Sequence, residues 1–479
     1  MSSLSARIAA GLGVTALLLT GCADAENGEN EEADTAAETE EDAAAEGEEA
    51  GDAEDEAADS PEDDEAAQDE AENGDENGAE AENGDAQASE CRFAPDEEAD
   101  HSYDEDSLGH WAQEADLRIG NVAAGGGHHE EEDYPDPFPE DAEYRDQLAA
   151  EFTSLTHENY LKWEFIHPEE WGDFDFEAAD EVVEFAQEHD MDMRGHALFW
   201  HSQNPEWLEE AVEDGEYTED ELRDMLEEHV RTVVDRYAGC IQQWDVANEI
   251  FDDEEEPQLR DGPADESGNL WIRELGPEIL DDVFEWAHEE DPDALLFYND
   301  YSVDGENAKS DAYYELIEEQ LDRDVPVHGF GAQTHLSMEY GFDDSYQDNL
   351  QRFEDLGLET AVTEIDVRGM VEDDGSMSQE DTEGALQRYE HVLEACLELE
   401  SCNSYTVWGT LDEHSWIPGV FEGEGDAALY RLDENEEWER KPQYCILQRT
   451  LVTEVEDEDF WENEAAFEEC RGILEEYSV

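Results

Sequence analysis

Residues 218–249, TEDELRDMLEEHVRTVVDRYAGCIQQWDVANE, hold a helix and a strand back to back, and their reading sets the fold. In the first part Leu222, Met225, Leu226, Val230, Val233, Val234 and Tyr237 recur every three or four residues and form one apolar face. Thr218 can cap the start of this helix and Gly239 can end it. The second part, Ile241 to Asn248, is a strand-like run leading into Glu249. The same alternation extends in both directions. Strand candidates are Leu117–Ala123, Leu155–Trp163, Met193–Phe199, Ile241–Asn248, Ala294–Tyr298, Val327–Gln333, Glu359–Asp366 and Ser404–Gly409, with helical runs between them. Eight such repeats with near-continuous apolar strands predict an α/β fold, a single (β/α)8 TIM barrel with long loops. A doubly wound open sheet is the alternative topology.

In a barrel of this kind the chemistry sits at the carboxyl ends of the strands. Glu249 follows the fourth strand candidate. In the seventh, alternation with period two puts Glu364 and Asp366 on one face. Two carboxylates on different strands are what cleavage of a glycosidic bond needs. One donates a proton to the leaving oxygen, and the other attacks the anomeric carbon or activates water. With 144 Asp plus Glu in the chain, two glutamates alone carry no information, but their surroundings do. The segments Glu158–Trp163 (ENYLKW), Gly195–Trp207 (GHALFWHSQNPEW), Trp244–Glu249 (WDVANE), Tyr298–Tyr301 (YNDY), Gly329–Leu336 (GFGAQTHL), Thr363–Asp366 (TEID) and Trp408-Gly409 through Ser415-Trp416 follow in that order. Together they resemble the motifs of the glycoside hydrolase family 10 endo-β-1,4-xylanases, and the likeness runs through the chain after its first ninety residues.

The resemblance implies roles. Glu249 would be the general acid/base, protonated at first because Glu364 nearby is negative. Glu364 would be the nucleophile, with the two carboxyl groups roughly 5–5.5 Å apart as in retaining enzymes. Asn248 would bind the sugar 2-hydroxyl. His335 would hydrogen-bond Glu364 and be oriented by Asp366. Glu158, Asn159, Lys162, His196, Gln203 and Gln333 would grip the sugar beside the scissile bond. Trp200, Trp408 and Trp416 would contact it with indole faces and N–H groups. Leu161, Ala197 and Ser302 stand where Met, Thr and Asn are usual in the family, which bears on fine specificity. The acidic loop Asp252–Glu256 has no assigned role. The expected substrate is xylan or a related β-1,4-linked polysaccharide. The rivals are a β-1,4-glucan-active barrel and a catalytically silent glycan-binding lipoprotein. No metal or cofactor is implied. Gly125–Glu130 (GGGHHE) reads as a solvated loop, because adjacent histidines point apart.

The ends of the chain read differently. Residues 1–21 form a signal peptide with Arg7, an apolar run from Ile8 to Leu19 and the lipobox Leu19-Thr20-Gly21-Cys22. By resemblance to bacterial lipoproteins, cleavage would expose Cys22 for lipidation. Residues 22–90 read as lipidated Cys22 and a disordered tether, lacking Val, Ile, Leu, Met, aromatic, Lys and Arg residues from 23 onward. Residues 91–479 form the catalytic domain. An exported, surface-tethered, monomeric protein is expected, meeting the membrane only through the Cys22 anchor.

The net charge of −123 comes mostly from residues 91–479, which carry 113 acidic and 20 basic residues. Such a domain repels itself in dilute buffer but not at molar salt, where screening reaches only about 3 Å. That composition reads as halophilic and excludes nucleic acid as a partner. Lysine occurs only at positions 162, 309 and 441, so Lys162 inside a sugar-contact motif is a poor candidate for surface decoration. After lipidation six cysteines remain. Many xylanases of the resembling family bridge the pair matching Cys396 and Cys402. Cys91, Cys240, Cys445 and Cys470 can pair in three ways, and the sequence selects none.

Overall fold

The computed structural model describes residues 89–95, 101–127, 136–263, 267–372, 374–433 and 435–479. The lipobox with Cys22, the acidic stretch as far as residue 88, and His128–Glu130 lie outside these residues. No helix among the described residues is long and apolar enough to cross a membrane.

The strands run in chain order as β1 (Arg118–Ala123), β2 (Ser154–His157), β3 (Asp192–Phe199), β4 (Gln243–Asn248), β5 (Leu295–Asp300), β6 (Gly329–Ala332), β7 (His335–Ser337), β8 (Glu359–Met370), β9 (Cys402–Val407) and β10 (Glu424–Gly425). From β1 through β6 each pairs in parallel with the next; β6 pairs with β8, β8 with β9, and β9 with β1. The sheet therefore closes on itself as an eight-stranded parallel barrel, and the open-sheet alternative is excluded. The helix Glu219–Tyr237 forms as its sequence dictates. Thr218 and Glu221 make a reciprocal capping box, Leu222 to Tyr237 bury the apolar face, and Gly239 follows at φ 73°.

Two strand expectations need correction. The second strand stops at His157, not Trp163. The chain turns there because Asn159 Nδ2 donates to Gly125 O (2.8 Å) and Gly125 N–H donates to Glu158 (2.8 Å). Trp163–Ile166 is then a helical turn with Lys162 at its N-cap. The seventh barrel strand, β8, runs to Met370 because β7 and β10 extend it: His335 pairs with Asp366, and Glu424 with Met370. Glu364 is thus mid-strand in sequence. It still lies at the barrel rim, since the β6–β8 ladder ends at Ala332 and Val362.

The barrel interior is filled by side chains, not left as a channel. Trp244 lies across β3, and a Cβ on Gly195 would stand 2.2 Å from its ring, so only glycine fits there. Arg194 packs 4.6 Å from the Phe297 ring and makes a buried ion pair with Asp245. Three disulfides form: Cys396–Cys402 as the family likeness implied, plus Cys91–Cys240 and Cys445–Cys470. Cys91–Cys240 spans 149 residues and ties the start of the domain to the segment entering β4. All three lysines are buried, with exposures of 7%, 5% and 1% for Lys162, Lys309 and Lys441.

Candidate active site

Glu249 follows β4 in the left-handed region, at φ 53°, and its N–H donates to Asn299 O on β5 (2.9 Å). A non-glycine residue in that conformation is strained by about 1–3 kcal/mol and persists only where its surroundings over-determine it. Gln203 (φ 50°) and Thr334 (φ 63°), both beside the site, share this conformation.

The two candidate carboxylates face one shared set of amides. Glu249 Oε1 accepts from Gln333 Nε2 (3.0 Å) and Asn248 Nδ2 (3.3 Å). Glu364 Oε1 accepts from Asn299 Nδ2 (2.7 Å), which also donates to Asn248 Oδ1 (3.0 Å). Thr363 Oγ1 donates to Asn299 Oδ1 (2.6 Å), fixing that amide with its NH2 toward Glu364. β4, β5, β6 and β8 thus converge on one place. Asn299 was not singled out from the sequence as a site residue, although its YNDY segment was.

Beside Glu364 stands a cationic donor, His335. His335 Nε2 lies 3.3 Å from Glu364 Oε2 and Nδ1 lies 3.0 Å from Asp366 Oδ2. Burial alone would lower the imidazole, but Asp366 and Glu364 outweigh it and raise it to about 10. At neutral pH His335 is therefore a double donor, giving one N–H to Glu364 and the other to Asp366. Trp416 Nε1 donates to the same Asp366 oxygen (2.9 Å), so its N–H is engaged by the protein and is not offered to a sugar. Its ring face remains beside His335, with centroids 5.0 Å apart.

Around Glu249 the influences oppose one another. Burial pushes it up, but His201, donors from Gln333 and Trp200, and Arg260 outweigh burial and hold it below the usual carboxylate range. His201 Nδ1 lies 3.7 Å from Glu249 Oε2, and burial holds that ring at about 4. At neutral pH His201 is therefore uncharged, and the donors left beside Glu249 are Gln333, Trp200 and Arg260. His201 was another residue not picked out from the sequence.

The predicted sugar grip is assembled but internally bonded. Lys162 Nζ donates to Asn159 Oδ1 (2.9 Å) and Gln203 Oε1 (2.7 Å), and lies 4.7 Å from the centroid of the Trp200 ring. Gln203 also donates to Asn159 Oδ1 (3.1 Å) and Glu164 Oε1 (2.9 Å). With both ends of its amide engaged, Gln203 supports Lys162 instead of facing the sugar. His196 Nδ1 sits 2.9 Å from Asp245 Oδ2, and its ring meets Trp408 edge-on at 5.6 Å. His196, Asp245 and Glu364 bring ligand-type atoms within 4.8 Å of one another. Arg194 and His196 hold Asp245, and Asn299 and His335 hold Glu364, so those lone pairs are committed within the protein.

A parallel barrel carrying two glutamates at its rim, one following β4 and one on β8, bridged by amides and flanked by tryptophans, defines a glycoside-cleaving enzyme of the barrel class. The Glycosyl hydrolase family 10 model matches residues 119–449, and the chain belongs to that family. It is similar to endo-1,4-beta-xylanase B of Thermotoga neapolitana, 37% identical over 320 residues, which span 67% of this chain and 86% of that protein. It is also similar to an endo-1,4-beta-xylanase of Agaricus bisporus, 34% identical over 64% of this chain and 85% of that one. Among solved structures, native xylanase 10B from Thermotoga maritima superposes with a TM-score of 0.63 at 35% identity, covering 73% of this chain and 99% of that one. Xylanase 10B from Thermotoga petrophila, in complex with xylobiose, matches with the same TM-score and identity over 73% and 98%.

Proposed function

We propose that this chain is a retaining endo-β-1,4-xylanase that works by double displacement. The observation that carries the reading is the pair Glu249 and Glu364, both gripped by the amides of Asn248, Asn299 and Gln333 on adjoining strands. The xylanases to which the chain is similar, one of them holding xylobiose, support xylan as substrate.

Glu364, hydrogen-bonded by His335 and Asn299, attacks the anomeric carbon, and the bond to the leaving oxygen breaks as Glu249 delivers a proton to it. Water then attacks the glycosyl-enzyme while Glu249, now ionised, takes its proton, releasing sugar and free Glu364. The proton for the first step must be loaded as the cleft fills. A bound sugar displaces water and deepens burial, an influence that raises Glu249. Asn248 lies where it can strengthen its hold on a 2-hydroxyl as positive charge develops on the ring.

Azide separates the two roles. Glu364→Ala should lose turnover on all substrates and be rescued as a glycosyl azide of inverted configuration. Glu249→Ala should keep the first step on aryl glycosides with good leaving groups and give azide product of retained configuration. The opposite pattern would reverse the assignment. Reducing-sugar release from xylan compared with carboxymethylcellulose, in concentrated salt, decides between xylan and glucan.

The setting is part of the proposal. Lipidation at Cys22 and a long acidic tether would hold a monomeric enzyme outside the cell near its polymer, and the sequence of residues 1–90 supports this. The acidic excess of the domain, with every lysine withdrawn from the surface, supports operation in concentrated salt. Mass spectrometry of the mature N-terminus tests the anchor; an unmodified Cys22 would refute it.

A further inference from the structure

Glu249 is held in its strained conformation by two arms that meet at one buried ammonium. In the first arm Arg260 Nε donates to the Glu249 carbonyl (3.0 Å). Arg260 Nη2 in turn donates to Tyr301 Oη (3.0 Å) and contacts Asp253 Oδ2 (3.3 Å), and Tyr301 donates to that same oxygen (2.5 Å). In the second arm the N–H of Ile250, the next residue, donates to Tyr313 Oη (3.1 Å), and Tyr313 donates to Asp300 Oδ2 (2.6 Å). Lys309 Nζ closes the circuit at 2.8 Å from both Asp253 Oδ1 and Asp300 Oδ1, and it lies 3.9 Å from the centroid of the Tyr301 ring. Asp300 is fully buried and Lys309 only 5% exposed.

The peptide unit that follows Glu249, its carbonyl and the next N–H, thus depends on Arg260 and Tyr313. These lean on Asp253 and Asp300, and Lys309 bridges the two carboxyls. Asp253 comes from the acidic loop Asp252–Glu256, whose role the sequence left open. This loop residue faces inward as a latch. From this geometry we infer that Lys309 is a positioning residue for the acid/base glutamate. It touches no reacting atom; it fixes where the Glu249 carboxyl stands relative to the leaving oxygen. The inference rests on Glu249 being the acid/base.

A misplaced proton donor hurts most where protonation matters most. Aryl β-xylobiosides whose phenols span a wide range of acidity provide the probe, read as kcat/KM, which reports the first step. Glu249→Ala serves as reference and should lose more as the leaving group becomes more basic. Lys309→Met and Asp253→Asn should show the same trend, smaller in size: near wild type with dinitrophenolate, and about 10–100-fold down with the poorest leaving groups, the scale of a displaced catalytic group. Thermal melts in concentrated salt establish that each variant is folded, and Asp253→Asn carries the test if Lys309→Met does not fold. A loss equal across all leaving groups, or no loss in folded protein, would overturn the positioning role while leaving Glu249 in place. If Glu249→Ala itself showed no trend, the acid/base assignment would fall, and the role of Lys309 with it.

Discussion

Lys162 and Lys309 are both buried on the catalytic face, yet their surroundings are opposite in kind. Lys309 is gripped by two carboxylates, and they raise its pKa against the pull of burial. The ammonium of Lys162 rests on two neutral amide oxygens. Burial lowers its pKa, and the more distant Glu158, Glu364, Glu249 and Glu164 do not make up the difference. The contrast separates two uses of a buried cation. One whose charge is matched inside the protein holds the protein's own geometry. One matched only by amides keeps capacity for a ligand, in this cleft the hydroxyl oxygens of a sugar.

The largest consequence is in stability. Lys309→Met leaves the fully buried Asp300 without its cation, and breaking a buried pair this way costs about 3–5 kcal/mol. Lys162→Met leaves no buried carboxylate pair behind and should cost no more than about 1–2 kcal/mol, the scale of one unsatisfied amide. Denaturant unfolding in concentrated salt would show the difference, and equal losses would break the comparison.

Activity on natural xylan should fall in both lysine variants, by a different route in each. Lys162→Met should lower kcat/KM by about 10²-fold, because the sugar loses its anchor and its alignment. Since remote binding energy supports the chemical step, part of that loss should fall in kcat. A fully active Lys162→Met enzyme would remove it from the sugar grip.

His335 belongs with Lys309, a cation between two carboxylates, and its titration sharpens the point. Its folded-state pKa, about 10, lies above the ordinary 6.5. The stability it contributes is therefore fully present below about pH 6.5 and is lost as pH rises through about 10. Wild type should lose more stability across that window than His335→Gln. Parallel curves would mean the imidazole is not protonated in the folded protein.

The smallest effect is a difference that should not change. Molar NaCl should raise the melting temperature of the wild type and both lysine variants, because it screens the exposed acids. The gap between Lys309→Met and wild type should persist, since Lys309 and Asp300 are buried away from mobile ions. If salt closed that gap, the Lys309 cluster would be solvent-accessible.

The barrel was legible because its signals are local. Apolar periodicity marked the helix Glu219–Tyr237, and runs of apolar residues marked the strands to within a few residues. The exceptions have non-local causes. β2 ends early through side-chain bonds to a distant glycine backbone, and β8 runs long because β7 and β10 pair with it. The site divides the same way. Glu249, Glu364, Asn248, His335 and Asp366 lie in motifs whose order is readable, and the structure brings them together. Asn299, His201, Arg260 and Tyr313 matter through contacts across strands and loops that no spacing announces. Gln203 shares the sugar-contact motif but turns inward at φ 50°, and Trp416 gives its N–H to Asp366.

If two glutamates act in sequence through a covalent sugar, the first-formed anomer reports it directly. Proton NMR of a xylo-oligosaccharide digest, recorded before mutarotation, should show the β anomer appearing first at the new reducing end. An α anomer in the earliest spectra would mean single displacement by water, and would contradict Glu364 as the nucleophile.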